Sequence, residues 1–505
     1  MNYSPLFTSK IPEGLTFDDV LLIPQHSDIS SRSEINLKSK FSKNVPLNIP
    51  IVSSPMDTVT EQAMAIEMAR QGGLGIIHRY CSIEDQCKMV RAVKRAESAI
   101  IRNPYTVSCN CTIAKLEILS KEHKRSTFLV TDATFKDSEL ADHSFKHKLL
   151  GIITRRDIRS ADSKDQKVKE LMTPREKLQV IETQTEKLEK DELMINLKEA
   201  KGIMLKSKIE KIPVVSLKNE ILGLITLKDI VRHLERPLAN IGPNEQLYVG
   251  AAIGAKDDYL DRAKKLIDAG ADVLVVDIAN GHSTICIEAV KMLKEQFKID
   301  IVAGSIATAE GAHPLIEAGA DGIRCGIGSG SICTTRIVAG SGVPQLTALL
   351  ETIPICRKYD VPLISDGGNR NSGNMCKALS TGASCVMLGR LIAGCDESPG
   401  QVLLKDGKRV KIYRGMAGFG ANLSKAQKMG INEPGSLSFT PEGVEGYTPY
   451  VGPLKEVLNQ FTQGIKSGMS YCGAHNIAEL PDKAHFVRLT QSSIFESGVH
   501  DIHKI

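Results

Sequence analysis

The sequence has no run of about 18 consecutive apolar residues, so no membrane-spanning helix is expected. It has no concentrated block of positive charge either. The formal net charge is +5 over 505 residues and the lysines are scattered, which argues against a nucleic-acid partner. Met1 to Pro12 lacks an apolar h-region, so no secretory signal is expected. The 12 cysteines therefore read as reduced thiols of an intracellular chain and not as a disulfide framework. Cys109-Asn-Cys111 has no second pair to complete a zinc site. The final His503-Lys-Ile505 shares a basic middle and an aliphatic end with a peroxisomal tripeptide, but its first position is wrong. The expected location is the cytoplasm, with a peroxisome-like organelle as the weaker alternative.

What is present points to an α/β enzyme. A hydrophobic content of 42% supplies ample core, and the length suits two to four domains or one large barrel with an insert. Gly14 to Pro24 opens with a short strand-like segment. Leu47 to Asp57 then reads as a strand ending in a small-residue loop, Thr60 to Gln71 as a helix, and Leu74 to His78 as a second strand. The alternation stops near Glu97 and resumes near Leu247. Strand-like runs follow at Tyr248–Ile253, Val273–Asp277, Ile299–Ala303, Gly322–Cys325, Leu363–Ser365 and Cys385–Leu388. Helical patterns lie between most of them, as at Ala263–Ala269, Thr284–Phe297 and Gly373–Ser380. Eight strands in all predict a (β/α)8 TIM barrel formed by residues 1–97 and 233–505. A doubly wound open sheet is the alternative. Gly, Asp and Ser cluster after most strands, as a ring of site-forming loops requires, which favours the barrel.

The interruption, residues 98–232, is internally repeated. Leu149-Leu-Gly-Ile-Ile-Thr-Arg-Arg-Asp-Ile158 recurs as Ile221-Leu-Gly-Leu-Ile-Thr-Leu-Lys-Asp-Ile230. Two βαββα units of this kind can bury each other's apolar faces. The pattern resembles a tandem cystathionine-β-synthase (CBS) pair, or Bateman module, which implies regulatory binding of adenine or guanine nucleotides. The Thr-x-x-Asp elements would then hold ribose and phosphate through Thr154, Asp157, Thr226 and Asp229. Helix capping by the same residues is the equally good plain reading.

Three loops at strand ends carry chemistry. Gly326-Ile-Gly-Ser-Gly-Ser-Ile-Cys-Thr-Thr-Arg336 places Cys333 in a glycine-rich, polar loop, where backbone N–H groups can approach a ligand. An inert structural cysteine usually sits in an apolar run instead. Asp366-Gly-Gly368 offers a carboxylate suited to vicinal ribose hydroxyls, against an Asx-turn as the plain reading. Gly389-Arg390 offers an N–H and a guanidinium to a phosphate. Together they read as a cradle for a nucleoside monophosphate.

The chain resembles the IMP dehydrogenase/GMP reductase family across nearly its whole length. The motifs that carry the resemblance are Leu15-Thr-Phe-Asp-Asp-Val-Leu-Leu, Ser53-Ser-Pro-Met-Asp-Thr-Val, Gly328-Ser-Gly-Ser-Ile-Cys-Thr-Thr-Arg, Ser365-Asp-Gly-Gly, Tyr413-Arg-Gly-Met and Ser467-Gly-Met-Ser-Tyr-Cys-Gly-Ala. The resemblance implies that Ser54, Met56, Ser331, Asp366, Gly368, Gly389, Arg390, Tyr413, Gly415, Met416 and Glu442 line the purine-nucleotide site. It implies that Cys333 attacks purine C2, and that Asp277, with Asn280, Gly281 and Arg324, serves the nicotinamide cofactor. Carbonyls of Gly328, Gly330 and Cys333 would form a potassium (K+) site, and the assembly would be a homotetramer, or an octamer through CBS pairing. The thiol chemistry is sound in itself, because C2 is an electron-poor ring carbon to which a polarizable thiolate adds readily.

Both activities of the family pass through a covalent C2 adduct and differ in what resolves it. A dehydrogenase hydrolyses the adduct with a flap bearing an Arg-Tyr pair. Here the corresponding stretch, Ala417 to Thr440, contains neither residue. Asp277-Ile-Ala-Asn-Gly-His-Ser283 also resembles the reductase version of its segment. Two departures stand against this: Phe419 occupies the position of the reductase glutamate, and Ser305 replaces a usual Asn. Thr335 is in place, and Glu433 or Glu442 is left to complete its pair. The expected activity is therefore conversion of GMP and NADPH to IMP, ammonia and NADP, under the control of purine nucleotides at the insert. NAD-dependent IMP dehydrogenation is the alternative, and a catalytically dead nucleotide sensor the third reading.

Overall fold

A computed structural model describes residues 11–96, 100–101, 104–123, 126–132, 147–183, 197–234, 236–242, 246–421, 423 and 440–498. The chain divides into two compact units, one made of residues 1–96, 238–240 and 247–505, the other of 97–237 and 241–246.

The first unit is a closed parallel barrel. Its strands are β1 (Ile51–Ser53), β2 (Leu74–Ile77), β3 (Gly250–Ile253), β4 (Val273–Asp277), β5 (Asp300–Ile306), β6 (Gly322–Cys325), β7 (Leu363–Asp366) and β8 (Cys385–Leu388). They run in chain order around the ring, with β8 pairing β1 and β2 pairing β3. The TIM barrel expected from the alternation is what forms. Both faces of these strands are covered, so most of their residues are apolar, and Asp277, Arg324 and Asp366 stand at or near the carboxyl ends. The opening segment Gly14 to Pro24 is not one of them. It forms a turn at Phe17–Asp19 and a short strand, Val20–Leu22, antiparallel to Phe486–Arg488.

The outer helices are α1 (Gln62–Arg70), α2 (Ile83–Ala96), α3 (Tyr259–Asp268), α4 (Thr284–Gln296), α5 (Ala309–Glu317), α6 (Gln345–Lys358), α7 (Ser372–Ser380) and α8 (Leu454–Cys472). Side-chain caps start α5 and α7: Thr308 accepts the Gly311 N–H at 3.2 Å, and Asn371 accepts that of Asn374 at 2.9 Å. Pro314 and Pro354 lie inside α5 and α6, which interrupts the periodicity by which a helix is read from sequence. α8 packs against α7, where Gly464 and Gly468 face Ser372 and Cys376 so closely that a Cβ at either glycine would collide. Between β8 and α8 the chain inserts a three-stranded antiparallel sheet, Val402–Lys405, Lys408–Arg414 and Glu445–Pro449.

The barrel interior is filled in layers. Val52, Leu74, Ile76, Ala252, Val273, Val275, Val302, Ile364, Cys385 and Met387 pack together beneath Phe41, Val45 and Leu47, which close the end where the strands begin. Gly322 also faces inward, since a Cβ there would lie 2.9 Å from Val302 Cγ2 and 3.0 Å from the Phe41 carbonyl oxygen. Side chains alternate along a strand with period two. Inward-facing Val275, Gly322 and Ile364 therefore put Asp277, Arg324 and Asp366 in the last inward layer, at the carboxyl ends of β4, β6 and β7.

The second unit holds the repeat. Its first copy runs strand Thr106–Ser108, helix Ile113–Glu122, strands Thr127–Thr131 and Leu149–Thr154, helix Arg155–Arg159. The second runs strand Ile181–Thr183, helix Leu197–Ser207, strands Lys211–Ser216 and Ile221–Thr226, helix Leu227–Leu234. Each copy's sheet is completed by a two-residue strand that precedes the other copy: Thr173–Pro174 pairs with Leu149–Thr154, and Ile100–Ile101 with Ile221–Thr226. Leu129, Leu149 and Ile152 of one copy share a buried cluster with Val215, Ile221 and Leu224 of the other. Neither βαββα unit could bury that surface alone.

Candidate active site

The glycine loop after β6 is built to bring Cys333 across the barrel mouth. Gly326 and Gly328 have φ of 149° and 77°, and a Cβ on Gly326 would run into the Asp366 carbonyl oxygen. Gln345, buried at the start of α6, secures the loop from below. Its Nε2 donates to the Cys325 carbonyl at 2.9 Å and to Ser365 Oγ at 3.3 Å, while its Oε1 accepts from Ser329 Oγ at 2.8 Å. Ser329 in turn accepts, through its carbonyl, the Gly368 N–H at 3.1 Å. The Cys333 and Asp366 loops are thus one hydrogen-bonded body.

Around Cys333 a short relay forms. Its thiol donates to Thr335 Oγ1 at 3.2 Å, and Thr335 Oγ1 donates to Glu442 Oε2 at 2.7 Å. The backbone holds the relay from both ends. The Thr334 N–H donates to the Glu442 carbonyl at 3.0 Å, the Val444 N–H to the Ile332 carbonyl at 3.1 Å, and Cys333 pairs with Gly443 as a β-bridge. Cys333 is half-buried, whereas Cys325, Cys356, Cys376, Cys385 and Cys395 are buried and burial pushes each of those thiols up to about 12. Burial likewise pushes Cys286 up to about 11. Those six are packing thiols at neutral pH.

The opposite wall comes from the loop after β1. The Ser54 N–H donates to the Leu388 carbonyl at 2.9 Å, which ties this loop to the end of β8 beside Gly389. Tyr413 directs its hydroxyl at Met56 Sδ 3.8 Å away, and has its phenol pushed up to about 12 by burial, with the neighbouring Ser331 opposing. A Cβ at Gly389 would lie 2.8 Å from that hydroxyl, so only glycine leaves room there. Asp57 accepts two hydrogen bonds from Arg414 Nε, at 3.1 and 3.0 Å, and a third from its Nη2. The Met416 thioether accepts the Asp57 N–H at 3.3 Å and the Gly415 N–H donates to Val444 at 3.0 Å. Ser54, Met56, Ser331, Asp366, Gly368, Gly389, Tyr413, Gly415 and Met416 therefore meet at one mouth, with Arg390 opening the short helix Arg390–Ala393 behind Gly389.

The inward layer carries the charge. Arg324 Nη2 donates to Asp277 Oδ1 at 2.7 Å, and its Nε lies 3.6 Å from Asp366 Oδ2. Arg79 flanks Asp277 from the far side, its Nη2 on the Asp277 carbonyl at 3.2 Å and its Nε 3.8 Å from the carboxylate. Burial works against the Asp277 charge, but Arg324 and Arg79 outweigh it and hold the carboxyl below its usual range. Asp366 is pushed up, by burial first and by the neighbouring Asp277 charge, with Arg324 opposing.

Several expected site residues have more specific placements than their sequence roles suggested. Glu442, expected among substrate ligands, has its carboxylate on Thr335. Glu433 lies outside the described residues. Arg324 is 5% exposed and sits under the two carboxylates, and the Gly281 N–H is committed to the Ser305 carbonyl at 2.7 Å, while Asn280 is exposed. The Gly330 carbonyl already accepts the Cys333 N–H at 3.2 Å, which leaves one lone pair for a cation. Thr154 donates to Asp157 Oδ2 from its backbone N–H at 2.8 Å and from its Oγ1 at 2.7 Å, so the pair is engaged in capping the helix that starts at Arg155, and Thr226 ends its strand in the equivalent place, with Asp229 in the helix that follows. Gln345, Ser329, Arg79 and the Asp57–Arg414 pair were not singled out in the sequence. Asp57 and Arg414 lie within quoted motifs and were open to notice; Gln345 and Arg79 have no local signal. Among the described residues no three His, Cys, Asp or Glu side chains gather as a metal site, and no helix is long and apolar enough to cross a membrane.

Comparison with known proteins agrees with this geometry. The family model described as the IMP dehydrogenase/GMP reductase domain matches residues 14–500. A GMP reductase of Leishmania major is 47% identical over 504 residues, covering 98% of each chain. An inosine-5'-monophosphate dehydrogenase of Nitrosopumilus maritimus is 44% identical over 97% of this chain and 98% of its own. The crystal structure of the C318A GMP reductase of Trypanosoma brucei with guanosine 5'-monophosphate superposes with a TM-score of 0.85 at 46% identity, over 99% of this chain and 100% of that one. A barrel of eight parallel strands with a half-buried cysteine in a glycine loop at its mouth, in a chain matched over residues 14–500, places this chain in the IMP dehydrogenase/GMP reductase family.

Proposed function

We propose that the chain is a GMP reductase, converting GMP, NADPH and a proton to IMP, ammonia and NADP. The observation that carries the reading is the Cys333–Thr335–Glu442 relay at 3.2 and 2.7 Å, beside a flap sequence without Arg or Tyr. As Cys333 Sγ bonds to C2 of GMP, its proton passes through Thr335 Oγ1 to Glu442. The same carboxyl then returns that proton, through Thr335, to the 2-amino group, and the C2–N bond breaks to release ammonia. Bound NADPH supplies the hydride that C2 needs at this stage. The C2–S bond then breaks, the electron pair returns to Cys333, the thiolate takes up the proton that the overall reaction consumes, and IMP leaves. A site without an Arg-Tyr base does not activate water against the adduct, so IMP dehydrogenase is the less favoured alternative.

The residues fit the cofactor. Asp277 is held ionised at the barrel mouth with one oxygen 3.8 Å from Arg79, so it retains acceptor capacity for a ribose hydroxyl, next to exposed Asn280. A monovalent cation at the carbonyls of Gly328, Gly330 and Cys333 belongs to the same reading and predicts a rate that rises with added K+. The insert is read as a CBS pair that binds purine nucleotides near Thr154, Asp157, Thr226 and Asp229, in a cytoplasmic tetramer or octamer. The T. brucei relative whose structure holds guanosine 5'-triphosphate supports a nucleotide effector.

The test is an initial-rate comparison. GMP with NADPH should consume the near-ultraviolet absorbance of the reduced cofactor; turnover of IMP with NAD but not of GMP refutes the assignment. Loss of turnover in Cys333→Ala, with GMP binding retained, separates an enzyme from an inert sensor. Removing residues 98–232 should leave a rate that GTP no longer changes, and an unchanged GTP response would refute the regulatory role.

A further inference from the structure

We infer that Arg324 is a positioning residue that couples the two ligand sites, so that purine nucleotide and nicotinamide cofactor each tighten the other's binding. This rests on the reading of Asp366 and Asp277 as the two ribose-binding carboxylates. Asp366 lies in the substrate loop and Asp277 at the cofactor side, and Arg324 forms ion pairs with both. Arg324 donates to Asp277 at 2.7 Å and stands 3.6 Å from Asp366, where its buried Nε has no hydrogen-bond partner among the described residues.

The fold makes the bridge and leaves it incomplete. Gly304 lies between β4 and β6 in register with both Asp277 and Arg324, and a Cβ there would collide with the Arg324 carbonyl oxygen. A side chain in place of that glycine would force Arg324 away from Asp277. The guanidinium is thus shared by two carboxylates but bonded well to only one. When ribose hydroxyls donate to Asp366, that carboxylate needs the guanidinium less, and Arg324 stays on Asp277 and fixes it for the cofactor. Reciprocity requires the cofactor to strengthen substrate binding by the same factor. Lysine keeps the charge but not the planar fork, so it cannot serve both partners.

The experiment measures ground-state binding in the Cys333→Ala background, where no turnover occurs. Dissociation constants for NADPH, without and with saturating GMP, and for GMP, without and with saturating NADPH, are obtained by calorimetry. About a fivefold or greater tightening is expected, equal in the two directions. Arg324→Lys should bring both ratios to about one. Asp366→Asn, which leaves Arg324 in place, is titrated with NADPH at a GMP concentration that saturates its own weakened site, and should also lose the tightening; if Arg324→Lys does not fold, a wild-type ratio in Asp366→Asn overturns the inference. A lysine variant with the wild-type ratio, or a Cys333→Ala protein that binds both ligands independently, overturns the inference and leaves the functional reading standing. A Cys333→Ala protein that binds neither GMP nor NADPH overturns both.

Discussion

Replacing Glu442 by Gln tests the relay directly, because the amide keeps the size of the side chain and removes its capacity to hold the transferred proton. Thr335 Oγ1 stands 2.7 Å from Glu442 Oε2, a charge-assisted hydrogen bond of the kind worth about 1.5–3 kcal/mol. Positioned general acids contribute about 10²–10⁴-fold, so kcat for GMP reduction should fall by about 10²-fold or more with little change in KM. The loss should fall mainly on one half of the reaction. In the reverse direction, IMP and NADP form the covalent adduct by thiolate addition and hydride departure, with no amine to protonate; the Cys333 proton then leaves to solvent and not to Glu442, so the adduct forms more slowly but in the same amount. Stopped-flow mixing of Glu442→Gln with IMP and NADP should therefore still give a burst of NADPH absorbance no larger than the enzyme concentration, while steady-state GMP reduction is nearly silent. Retention of GMP reduction within threefold of wild type would remove Glu442 from the mechanism and return the role to another carboxylate, with Glu433 the first to examine.

Three further outcomes follow from the site. Thr335→Val breaks the path between Cys333 and Glu442 without emptying the space, and should match Glu442→Gln in kcat; the double variant should be no worse than either single one, as for residues acting as a unit. Gln345→Leu takes the buried amide donor from the Cys325 carbonyl, at a cost of about 1–3 kcal/mol if that group is left unsatisfied, and leaves the Ser329 hydroxyl only the Asp366 carbonyl; it should lower the melting temperature and raise KM for GMP together. Asp366→Asn bears on pH. The folded-state pKa of Asp366 is raised, so the proton is held more tightly in the folded chain, and ionisation above that value costs stability. The neutral variant should melt higher than wild type at pH 7 and lose that advantage as pH falls toward the ordinary carboxylate value of about 3.9, while binding GMP far more weakly.

The parts of this protein that follow from local pattern were open to reading in the chain itself. Parallel strands buried on both faces are largely apolar, so β2, β4 and β8 announce themselves, and the repeat at Gly151 and Gly223 declares a duplicated unit. A cysteine among glycines at a strand end marks its own reactivity. Local pattern failed where a different force decided. α5 and α6 carry prolines that tertiary packing tolerates, and α8 stands beside α7 because Gly464 and Gly468 allow it, although the chain reaches it only after β8 and an intervening sheet.

The relay is the clearest division between the two. Thr335 lies two residues from Cys333 and was visible at once, but its acid partner is 107 residues further along the chain. No spacing rule joins positions so far apart, so the sequence offers both Glu433 and Glu442 and sets Glu433 in the catalytic place, with Glu442 among the substrate ligands. The backbone pairing of Cys333 with Gly443 selects Glu442 among the described residues. The same holds for Arg324, whose neighbours in sequence are apolar and whose partners, Asp277 and Asp366, come from two other strands. The sequence by itself determined which residue types reach the barrel mouth. Only closure of the sheet, which sets period-two side chains of separate strands into one layer, decided which of them touch.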